Sequence, residues 1–245
     1  MIDIHCHILP GVDDGSKSWE MSLEMCQMAR QDGITHIVAS PHANYEYSYD
    51  REKLSTLLQE LSNRFNDGIT FSLGCDFHLS FENLEDAFVR PQNYTIGNTG
   101  YLLVELSDYG IPPQILNSIA LLREKGITPI LTHPERNPIL QNDLRAVQRW
   151  IEAGAIVQVT ASSINGFWGE PARRSAIKLL ENHCVHVVAT DAHDPKRRVP
   201  VLSEARSAVA KRFGEDYAKG LVEANPGAIV AGEPLPFALA NKAGS

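Results

Sequence analysis

Cysteine is scarce in this chain, and the cysteines that are present form no motif. The 245 residues include four of them, Cys6, Cys26, Cys75 and Cys184, and none belongs to a Cys-x-x-Cys pair. Scattered cysteines of this kind are typical of buried free thiols in a reducing compartment. We therefore expect unpaired, buried cysteines.

Long apolar runs and basic stretches are absent as well. No segment approaches the roughly 18–20 consecutive apolar residues of a membrane-spanning helix, and the N-terminus lacks the basic and apolar regions of a secretory signal. We therefore expect a cytoplasmic protein without membrane insertion. The net charge of −8 and the lack of a Lys/Arg-rich stretch disfavour nucleic-acid binding. A phosphorylated substrate is still compatible with this charge, because bound metal ions can reverse the field inside a cleft.

Short, almost continuously apolar runs recur along the chain, with helical patterns between them. They predict strands that end near Ile4, Ala39, Gly74, Glu105, Thr132, Val159 and Thr190. Such strands suit a parallel sheet that is covered on both faces. Seven strands alternating with helices predict one distorted (β/α)7 barrel, similar to a TIM barrel but one unit short of the usual eight. We assign this α/β domain to residues 1–231 and a C-terminal tail to residues 232–245.

Potential metal ligands follow the ends of these strands. Residues i and i+2 of a strand point to the same side, so the His5-Cys6-His7 and Asp191-Ala192-His193 triplets each present two ligands together. Barrel enzymes carry their chemistry at the C-terminal ends of the strands. The candidates at these ends are His5, His7, Asp13, Asp14, His42, Asp76, Glu105, His133, Asp191 and His193. A mixture of imidazoles and carboxylates suits manganese, iron or zinc better than magnesium or calcium.

Each candidate also has a structural interpretation. A lone His42 or His133 is more often a hydrogen-bonded structural histidine than a ligand, and a lone Asp191 can cap a helix. The recurrence of such residues once per strand–helix unit favours metal binding for the set as a whole. A structural role is predicted for His36, His183, His186 and Cys6, while His78 is open between a surface position and one that supports the ligands.

The same residues carry a resemblance to a known superfamily. An HxH after the first strand, a His after the second, an acid after the third, a central His and a final DxH resemble the polymerase and histidinol phosphatase (PHP) superfamily. Within it, the chain is most similar to the bacterial PHP-type tyrosine-protein phosphatases of capsule and exopolysaccharide clusters. The matching segments are MIDIHCHILPGVDDGSKSWEMS at the N-terminus, LVELS (103–107), THPERN (132–137), the DAH segment with its following arginine, and NPGAIV (225–230).

The resemblance implies three divalent metal ions, often manganese, at the strand ends. When the ligand positions of the family are carried over to this chain, the first ion would be held by His5, His7, Asp76 and Asp191. Asp76 would bridge to the second ion, whose other ligands would be Glu105 and His133, and the third ion would be held by Asp14, His42 and His193. The family usually has glutamate where this chain has Asp76. We therefore expect a tighter bridge or a changed metal spacing.

The resemblance also implies a reaction, protein-tyrosine phosphatase activity, and hence a phosphoric monoester hydrolase. A hydroxide that bridges two metal ions would attack phosphorus in line. Arg136 and Arg198 would bind the phosphoryl oxygens, and the adjacent Arg197 could take the place of Arg198. The expected substrate is a phosphotyrosine protein, an autophosphorylated bacterial tyrosine kinase of polysaccharide export. Tyr47, in the loop after the second strand, is either a platform for the phosphotyrosine ring or an ordinary packing residue.

Other functions fit the sequence less well. A phosphocysteine mechanism needs a Cys-x5-Arg signature, but the residues six positions after the cysteines are Val12, Asp32, Phe81 and Thr190. The nearest alternative is a small-molecule phosphatase of the same fold, for instance on histidinol phosphate. An exonuclease fits the acidic charge less well, and a regulatory module with a vestigial site would have lost ligands. An amidohydrolase typically has a lysine where this chain has Glu105.

Overall fold

Parallel strands alternate with helices along the chain, as the apolar runs predict. A computed structural model describes residues 1–79, 81–107 and 109–236, with the backbone alone at 81–84. The strands are β1 Ile2–Cys6, β2 His36–Ala39, β3 His42–Ala43, β4 Thr70–Leu73, β5 Asp76–His78, β6 Tyr101–Glu105, β7 Thr128–Thr132, β8 Ile156–Thr160 and β9 Val187–Ala189. The α-helices are α1 Trp19–Gln31, α2 Arg51–Arg64, α3 Phe81–Val89, α4 Ile115–Glu124, α5 Leu144–Glu152, α6 Ala161–Ile164, α7 Gly169–Glu181, α8 Ser203–Phe213, α9 Glu215–Lys219 and α10 Asn225–Ala231. Residues 237–245 of the predicted tail lie outside the described residues.

Two of the predicted strands are each divided in two. The second predicted strand is interrupted at Ser40 and Pro41, between β2 and β3. The third predicted strand is interrupted at Gly74 and Cys75, between β4 and β5. The backbone N–H of Asp76 donates to the carbonyl of Pro41 at 3.1 Å. This bond keeps the second and third predicted strands together where they are interrupted. Each divided strand occupies one position in the fold, so the seven predicted strand positions are confirmed.

All strand pairs are parallel, and the strands form two sheets. One sheet has the order β1-β2-β4, and the other has the order β3-β5-β6-β7-β8-β9. Parallel pairing places the carboxyl ends of all these strands on the same side, where enzymes of this architecture carry their active sites. The predicted TIM-barrel-like α/β fold with parallel sheets is thereby confirmed.

The first and last strands meet through a few contacts instead of continuous pairing. A single parallel bridge joins Cys6 to Ala192. The buried carboxylate of Asp3 accepts hydrogen bonds from the backbone N–H of Thr190 at 3.0 Å and from the hydroxyl of the same residue. A buried carboxylate that accepts several hydrogen bonds is held in a defined position. Asp3 therefore acts as a clamp between the beginning of β1 and the end of β9.

Apolar side chains cover both faces of the strands. Along β6, Leu102 and Val104 belong to one hydrophobic cluster, whereas Tyr101 and Leu103 belong to a second one. Successive side chains of a strand point to opposite faces, so each face of β6 packs against its own apolar layer. The almost continuous apolar character of the strand runs follows from this double burial.

The cysteines are unpaired, as the sequence predicts, and side chains cap two of the helices. All four cysteines are buried and free. Asp50 and Asp143 directly precede α2 and α5 as N-cap residues. Their side chains accept backbone N–H groups of the first turn and satisfy donors that the helix itself leaves unpaired. No helix among the described residues is both long and apolar enough to cross a lipid bilayer.

Replacing Thr190 with valine tests the clamp formed by Asp3. The variant preserves the shape of the side chain but removes the hydroxyl that donates to the buried carboxylate. We expect the free energy of unfolding to fall by about 1–3 kcal/mol, because a buried acceptor loses its donor. Urea denaturation in the presence of a chelator measures the change without a contribution from bound metal.

The exposed Thr35 provides the matched control, since its hydroxyl donates to the carbonyl of Met1 at the surface. Thr35→Val should change the free energy of unfolding by less than about 0.5 kcal/mol. Equal effects of the two substitutions would contradict the clamp role of Asp3.

Candidate metal centre

The strand ends bring the nine predicted metal ligands to one side of the fold. His42 and Asp76 begin the short strands β3 and β5 and pair with each other in register. They therefore lie within strands, just after the interruptions, and not in loops as the predicted strand ends implied. The other predicted ligands are His5 within β1, His7 and Asp14 after it, Glu105 at the end of β6, His133 after β7, and Asp191 and His193 after β9.

The four residues predicted for the first ion converge around His5. Its Nε2 atom lies 3.3 Å from a carboxylate oxygen of Asp76 and 3.3 Å from Oδ1 of Asp191. The Nε2 atom of His7 is 3.2 Å from that of His5 and 3.4 Å from the same Asp191 oxygen. Since all four side chains are buried, two histidines and two carboxylates share a small volume with almost no solvent exposure.

The three residues predicted for the third ion also come together. One carboxylate oxygen of Asp14 lies 3.3 Å from Nε2 of His42 and 3.3 Å from Nε2 of His193. His7 belongs to this group too, because ligand atoms of all four residues lie within 4.8 Å of one another. His7 therefore stands between the first and third groups.

The residues predicted for the second ion are arranged differently from the expectation. Among the described residues, the side chain that converges with Asp76 and Glu105 is His42, whose Nδ1 atom is 3.2 Å from the aspartate and 3.6 Å from the glutamate. The predicted ligand His133 lies on the other side of the glutamate, with its Nε2 atom 3.7 Å from Oε1. Glu105 therefore stands between two histidines.

Gln158 and Asp13 orient His5 and His7. Asp13 was a candidate ligand in the sequence, but it was not assigned to any of the three ions. The Nδ1 atom of His5 lies 3.0 Å from Oε1 of Gln158, and Nδ1 of His7 lies 2.8 Å from a carboxylate oxygen of Asp13. With Nδ1 donating to these acceptors, Nε2 of each ring turns its lone pair toward the cluster. The sequence carried a signal for Gln158, which is a polar side chain inside the apolar run of β8.

A close approach of the backbone holds the loop that carries Asp13 and Asp14. The N–H of Gly15 donates to the Asp13 carboxylate at 2.9 Å. A Cβ atom added to Gly15 would lie 2.3 Å from the carbonyl oxygen of His7. Glycine alone avoids this collision, so the third residue of the Asp-Asp-Gly segment has a steric role next to the ligands.

The cluster leaves buried lone-pair atoms without hydrogen-bond partners. In the described part of the chain these include both carboxylate oxygens of Asp76, Nδ1 of His42 and Nε2 of His193. Each buried polar atom without a partner costs about 1–3 kcal/mol, so several in one place require a partner from outside the protein. A divalent cation fits this requirement, because the unpartnered atoms are the nitrogen and oxygen donors that bind transition metals.

The charges of the cluster favour the same conclusion. Burial, together with the carboxylate of Asp76, raises the pKa of Glu105 to about 7. Burial alone would lower the pKa of His5, but the carboxylates of Asp76 and Asp191 outweigh this effect and raise it to about 9. The carboxylates therefore draw protons onto their neighbours, and bound cations would provide the same compensation of negative charge.

Two of the predicted ligands have a backbone conformation that side chains rarely adopt. The φ angles of His133 and Asp191 are +34° and +51°. Left-handed backbone at residues other than glycine is concentrated at functional sites, where neighbouring contacts enforce it. Here the N–H of Asp191 donates to the carbonyl of His5 at 2.8 Å, and that of His133 donates to the carbonyl of Gln158 at 2.9 Å.

Arg136 and Arg198 converge on Asp191 from the side away from the histidines. Both guanidinium groups donate to its Oδ2 atom, whereas its Oδ1 atom faces His5 and His7. Burial would raise the pKa of Asp191, but the positive charges of His5, Arg198 and Arg136 hold it well below its usual range. One carboxylate therefore joins the candidate metal ligands to the arginine pair.

Trp168 packs against both arginines. The guanidinium carbon of Arg136 lies 4.0 Å from the centroid of the indole ring, and that of Arg198 lies 5.4 Å from it. These are distances at which a cation is attracted to the face of an aromatic ring.

Arg197 is exposed, and its backbone N–H donates to Asp194 at 2.6 Å. The geometry favours Arg198 over Arg197 as the partner of Arg136, and the sequence carried no signal for Trp168.

Two cavities lie beside the arginine pair and share Trp168. One, of about 180 Å³, is lined by Glu105, His133, Arg136, Gln141, Trp168 and Ala172. The other, of about 160 Å³, is lined by Phe167, Trp168, Asp194, Arg197 and Arg198. The first cavity borders the candidate metal ligands through Glu105 and His133, whereas the second is lined by Arg198 and by two aromatic rings.

Tyr47 lies against a candidate ligand, whereas His36 lies elsewhere. The ring of Tyr47 stacks on that of His42, with centroids 5.9 Å apart and an angle of 14° between the planes. His36 binds the hydroxyls of Thr70 and Ser72 away from the candidate ligands, which agrees with its predicted structural role. Tyr47 therefore contacts the cluster of candidate ligands through His42.

Comparisons with known proteins agree with this geometry. The family model described as "Capsular polysaccharide synthesis, CpsB/CapC" matches residues 1–231. The tyrosine-protein phosphatase YwqE of Bacillus subtilis is 31% identical over 227 residues, which cover 91% of this chain and 89% of that protein. The tyrosine-protein phosphatase CpsB of Streptococcus pneumoniae is 30% identical over 239 residues, which cover 94% of this chain and 98% of that protein.

The similarity extends to the three-dimensional structure. One chain from the crystal structures of YwqE from Bacillus subtilis and CpsB from Streptococcus pneumoniae, described as metal-dependent tyrosine phosphatases, superposes with a TM-score of 0.91. The match has 30% sequence identity and covers 96% of each chain. The chain therefore belongs to the CpsB/CapC family of capsular polysaccharide synthesis.

Proposed function

We propose that this protein is a metal-dependent phosphomonoesterase that removes phosphate from tyrosine residues of a protein substrate. The observation that carries the proposal is the carboxylate of Asp191, which joins a buried cluster of imidazoles and carboxylates to Arg136 and Arg198. Metal ligands next to two guanidinium groups suit phosphoryl transfer, in which charge on the phosphoryl oxygens must be stabilised. Two relatives with the name tyrosine-protein phosphatase support the same activity here.

The proposed cofactor is a set of three divalent ions. His5, His7, Asp76 and Asp191 would hold the first, Asp76 and Glu105 with His133 the second, and Asp14, His42 and His193 the third. The proximity of His42 to Glu105 makes it an additional candidate for the second ion. The mixed nitrogen and oxygen donors favour manganese, with iron or zinc as alternatives. When bound, such ions supply an activated water for attack on phosphorus and withdraw charge from phosphoryl oxygens.

Asp76 is proposed to bridge the first and second ions despite its shorter side chain. Its Oδ2 atom lies 3.3 Å from Nε2 of His5 and 3.2 Å from Nδ1 of His42. Neither of its carboxylate oxygens has a hydrogen-bond partner among the described residues. Because β5 begins at Asp76 and is paired with β3 at His42, the backbone itself brings the carboxylate close to His42.

The arginines are proposed to bind the phosphoryl group. A guanidinium can donate two parallel hydrogen bonds to phosphate oxygens, and two guanidinium groups can hold three oxygens in a defined orientation. Asp191 keeps Arg136 and Arg198 next to the candidate metal ligands, so a phosphoryl group bound by the arginines would be held beside the ions in a defined orientation. A tyrosine leaving group has a pKa of about 10, so it needs less help from a general acid than an alkyl alcohol does.

The proposed substrate is a phosphotyrosine protein of capsule or exopolysaccharide synthesis, in particular an autophosphorylated bacterial tyrosine kinase. Family membership supports this assignment, and the acidic net charge of −8 argues against a nucleic-acid substrate. Four buried free cysteines favour a reducing, cytoplasmic location. We further propose that residues 1–231 form the catalytic domain, with Tyr47 at the mouth of the site.

Elemental analysis and phosphatase assays on the same sample test the proposed function. Protein loaded with manganese should contain close to three ions per chain, should hydrolyse a phosphotyrosine peptide faster than histidinol phosphate, and should lose activity in a chelator. A fully loaded sample without activity on the peptide would refute the phosphatase assignment. Faster turnover of histidinol phosphate would instead favour the small-molecule alternative.

Asp14→Asn tests the third ion separately. The substitution replaces the carboxylate between His42 and His193 with a neutral amide, which is a weaker metal ligand. The metal content should therefore fall by about one ion, and kcat should fall by more than about 100-fold. Asp67, which pairs with Arg30 at the surface, supplies the control: Asp67→Asn should keep the full metal content and activity. An unchanged metal content of Asp14→Asn would contradict the proposed ligand role.

Gln158 offers a test of the orientation of His5. Gln158→Leu removes the acceptor for Nδ1 while keeping a side chain of similar size, so we expect metal affinity or activity to fall by about 10–100-fold. Gln158→Glu keeps an acceptor at this position and should recover much of the loss. Manganese titration followed by calorimetry measures both variants, and equal affinities of Gln158→Leu and the wild-type protein would rule out this role.

Arg198→Ala and Arg197→Ala form a matched pair. Arg198 contacts Asp191 and packs on Trp168, whereas Arg197 is exposed. Loss of a charge-assisted contact to a phosphoryl group costs about 2 kcal/mol or more, so kcat/KM should fall by at least about 30-fold for Arg198→Ala. The decrease for Arg197→Ala should be several times smaller. The reverse order in steady-state assays on the phosphotyrosine peptide would assign the phosphate contact to Arg197.

A further inference from the structure

A short aromatic turn stands next to the arginine pair. It consists of Phe167 and Trp168 between two glycines, Gly166 and Gly169, whose φ angles are +90° and +83°. The N–H of Phe167 donates to the carbonyl of Ser162 at 2.9 Å, and the indole N–H of Trp168 donates to the hydroxyl of the same serine at 3.0 Å. The turn is therefore fixed to Ser162 of α6, and its two rings have defined positions.

The two rings of this turn differ in their contacts and in their exposure to solvent. The indole of Trp168 lies under Arg136 at 4.0 Å. Phe167 meets the indole edge to face, with centroids 5.2 Å apart, yet 44% of its surface is exposed. An edge-to-face pair can accept a further ring, because each ring presents a positive edge and a negative face. Phe167 is thus an aromatic surface available to a ligand beside the proposed phosphate site.

The adjoining cavity has the size of a phenyl ring. Its volume is about 160 Å³, and its walls include Phe167, Trp168 and Arg198. An apolar cavity of about 150 Å³ holds one benzene molecule. Arg198 forms a wall of the cavity and also contacts Asp191, so a ring in the cavity lies next to a phosphoryl group bound by the arginines.

We infer that the cavity between Phe167, Trp168 and Arg198 is an aryl subsite that binds the phenyl ring of the phosphotyrosine substrate. The inference rests on the proposed function and extends it, because it names the residues that would separate phosphotyrosine from phosphoserine. The ring packs against Phe167 and lies next to the Arg198 guanidinium, which adds cation–π attraction. Alkyl phosphates have no ring to place there and gain nothing from this surface.

The loop that carries Tyr47 is the competing location for such a platform. The ring of Tyr47 already stacks on His42 with an angle of 14°, so one of its faces is covered. Tyr45, in the same loop, is 92% exposed and lines neither of the two described cavities next to the arginines. The walls of a cavity that includes Arg198 therefore suit the substrate ring better.

Equilibrium binding of two phosphonates to the manganese-loaded chain tests the aryl subsite. Benzylphosphonate resembles the phenyl phosphate ester but is not hydrolysed, and ethylphosphonate lacks the ring. Calorimetry should give the wild-type protein a preference of about tenfold or more for benzylphosphonate, the size expected for one aromatic contact with its buried area. Phe167→Ala should lose most of this preference, and Phe167→Tyr should retain it.

Two further variants complete the design. Leu121 has the same exposed fraction as Phe167, 44%, but lies on α4, so Leu121→Ala controls for the truncation of an exposed apolar side chain. Tyr47→Ala tests the competing platform, and both variants should keep the benzyl preference. The inference is overturned if Phe167→Ala keeps the preference or if Tyr47→Ala alone removes it.

The outcome is independent of the phosphatase assay. A benzyl preference that depends on Phe167 in a protein without activity on phosphotyrosine peptides would support the aryl subsite and refute the proposed function. Peptide hydrolysis without any such preference would support the function and refute the subsite.

Discussion

The carboxylate of Asp191 is the interaction on which the rest of the site depends. One oxygen faces the imidazoles of His5 and His7, and the other accepts hydrogen bonds from Arg136 and Arg198. A buried carboxylate is stable only when its charge is compensated. Because cationic groups approach Asp191 from one side and candidate metal ligands from the other, the positions of the candidate metal centre and of Arg136 and Arg198 are coupled through a single side chain.

The scaffold supports this arrangement by rigid local geometry. Asp191 follows the last strand with a left-handed φ angle of +51°, and the preceding Thr190 is clamped to Asp3 of the first strand. Two strands are interrupted just before His42 and Asp76, which brings both ligands into paired positions. Like charges and unpartnered lone pairs would push these side chains apart, so the surrounding sheet has to hold them in place until cations compensate the charge.

The site was predictable where it depends on strand periodicity. The HxH triplet begins in β1, where residues i and i+2 share a side of the strand, and the structure brings both triplets together. The DxH triplet lies after β9 and its Asp191 has a φ angle of +51°, so loop contacts and not strand periodicity orient it. The relation of His42 and His133 to Glu105 was not predictable, because it depends on the direction of side chains from strands far apart in the chain. Gln158 appeared only as a polar residue in an apolar run, and its contact with His5 spans 153 positions. Trp168 has no periodic pattern, so its packing on the arginines was visible only in the structure.

The amino-acid sequence by itself determined the class of the fold, the chemical types of the ligands and the strand ends that carry them. Apolar periodicity and local spacing are properties of neighbouring residues, so they can be read without coordinates. Only the tertiary structure decided which ligands share an ion-sized space, which arginine joins Arg136, and where an exposed phenylalanine borders a ring-sized cavity. These features depend on distances between separate strands and loops, because side chains from distant segments must pack and balance charge in a common volume.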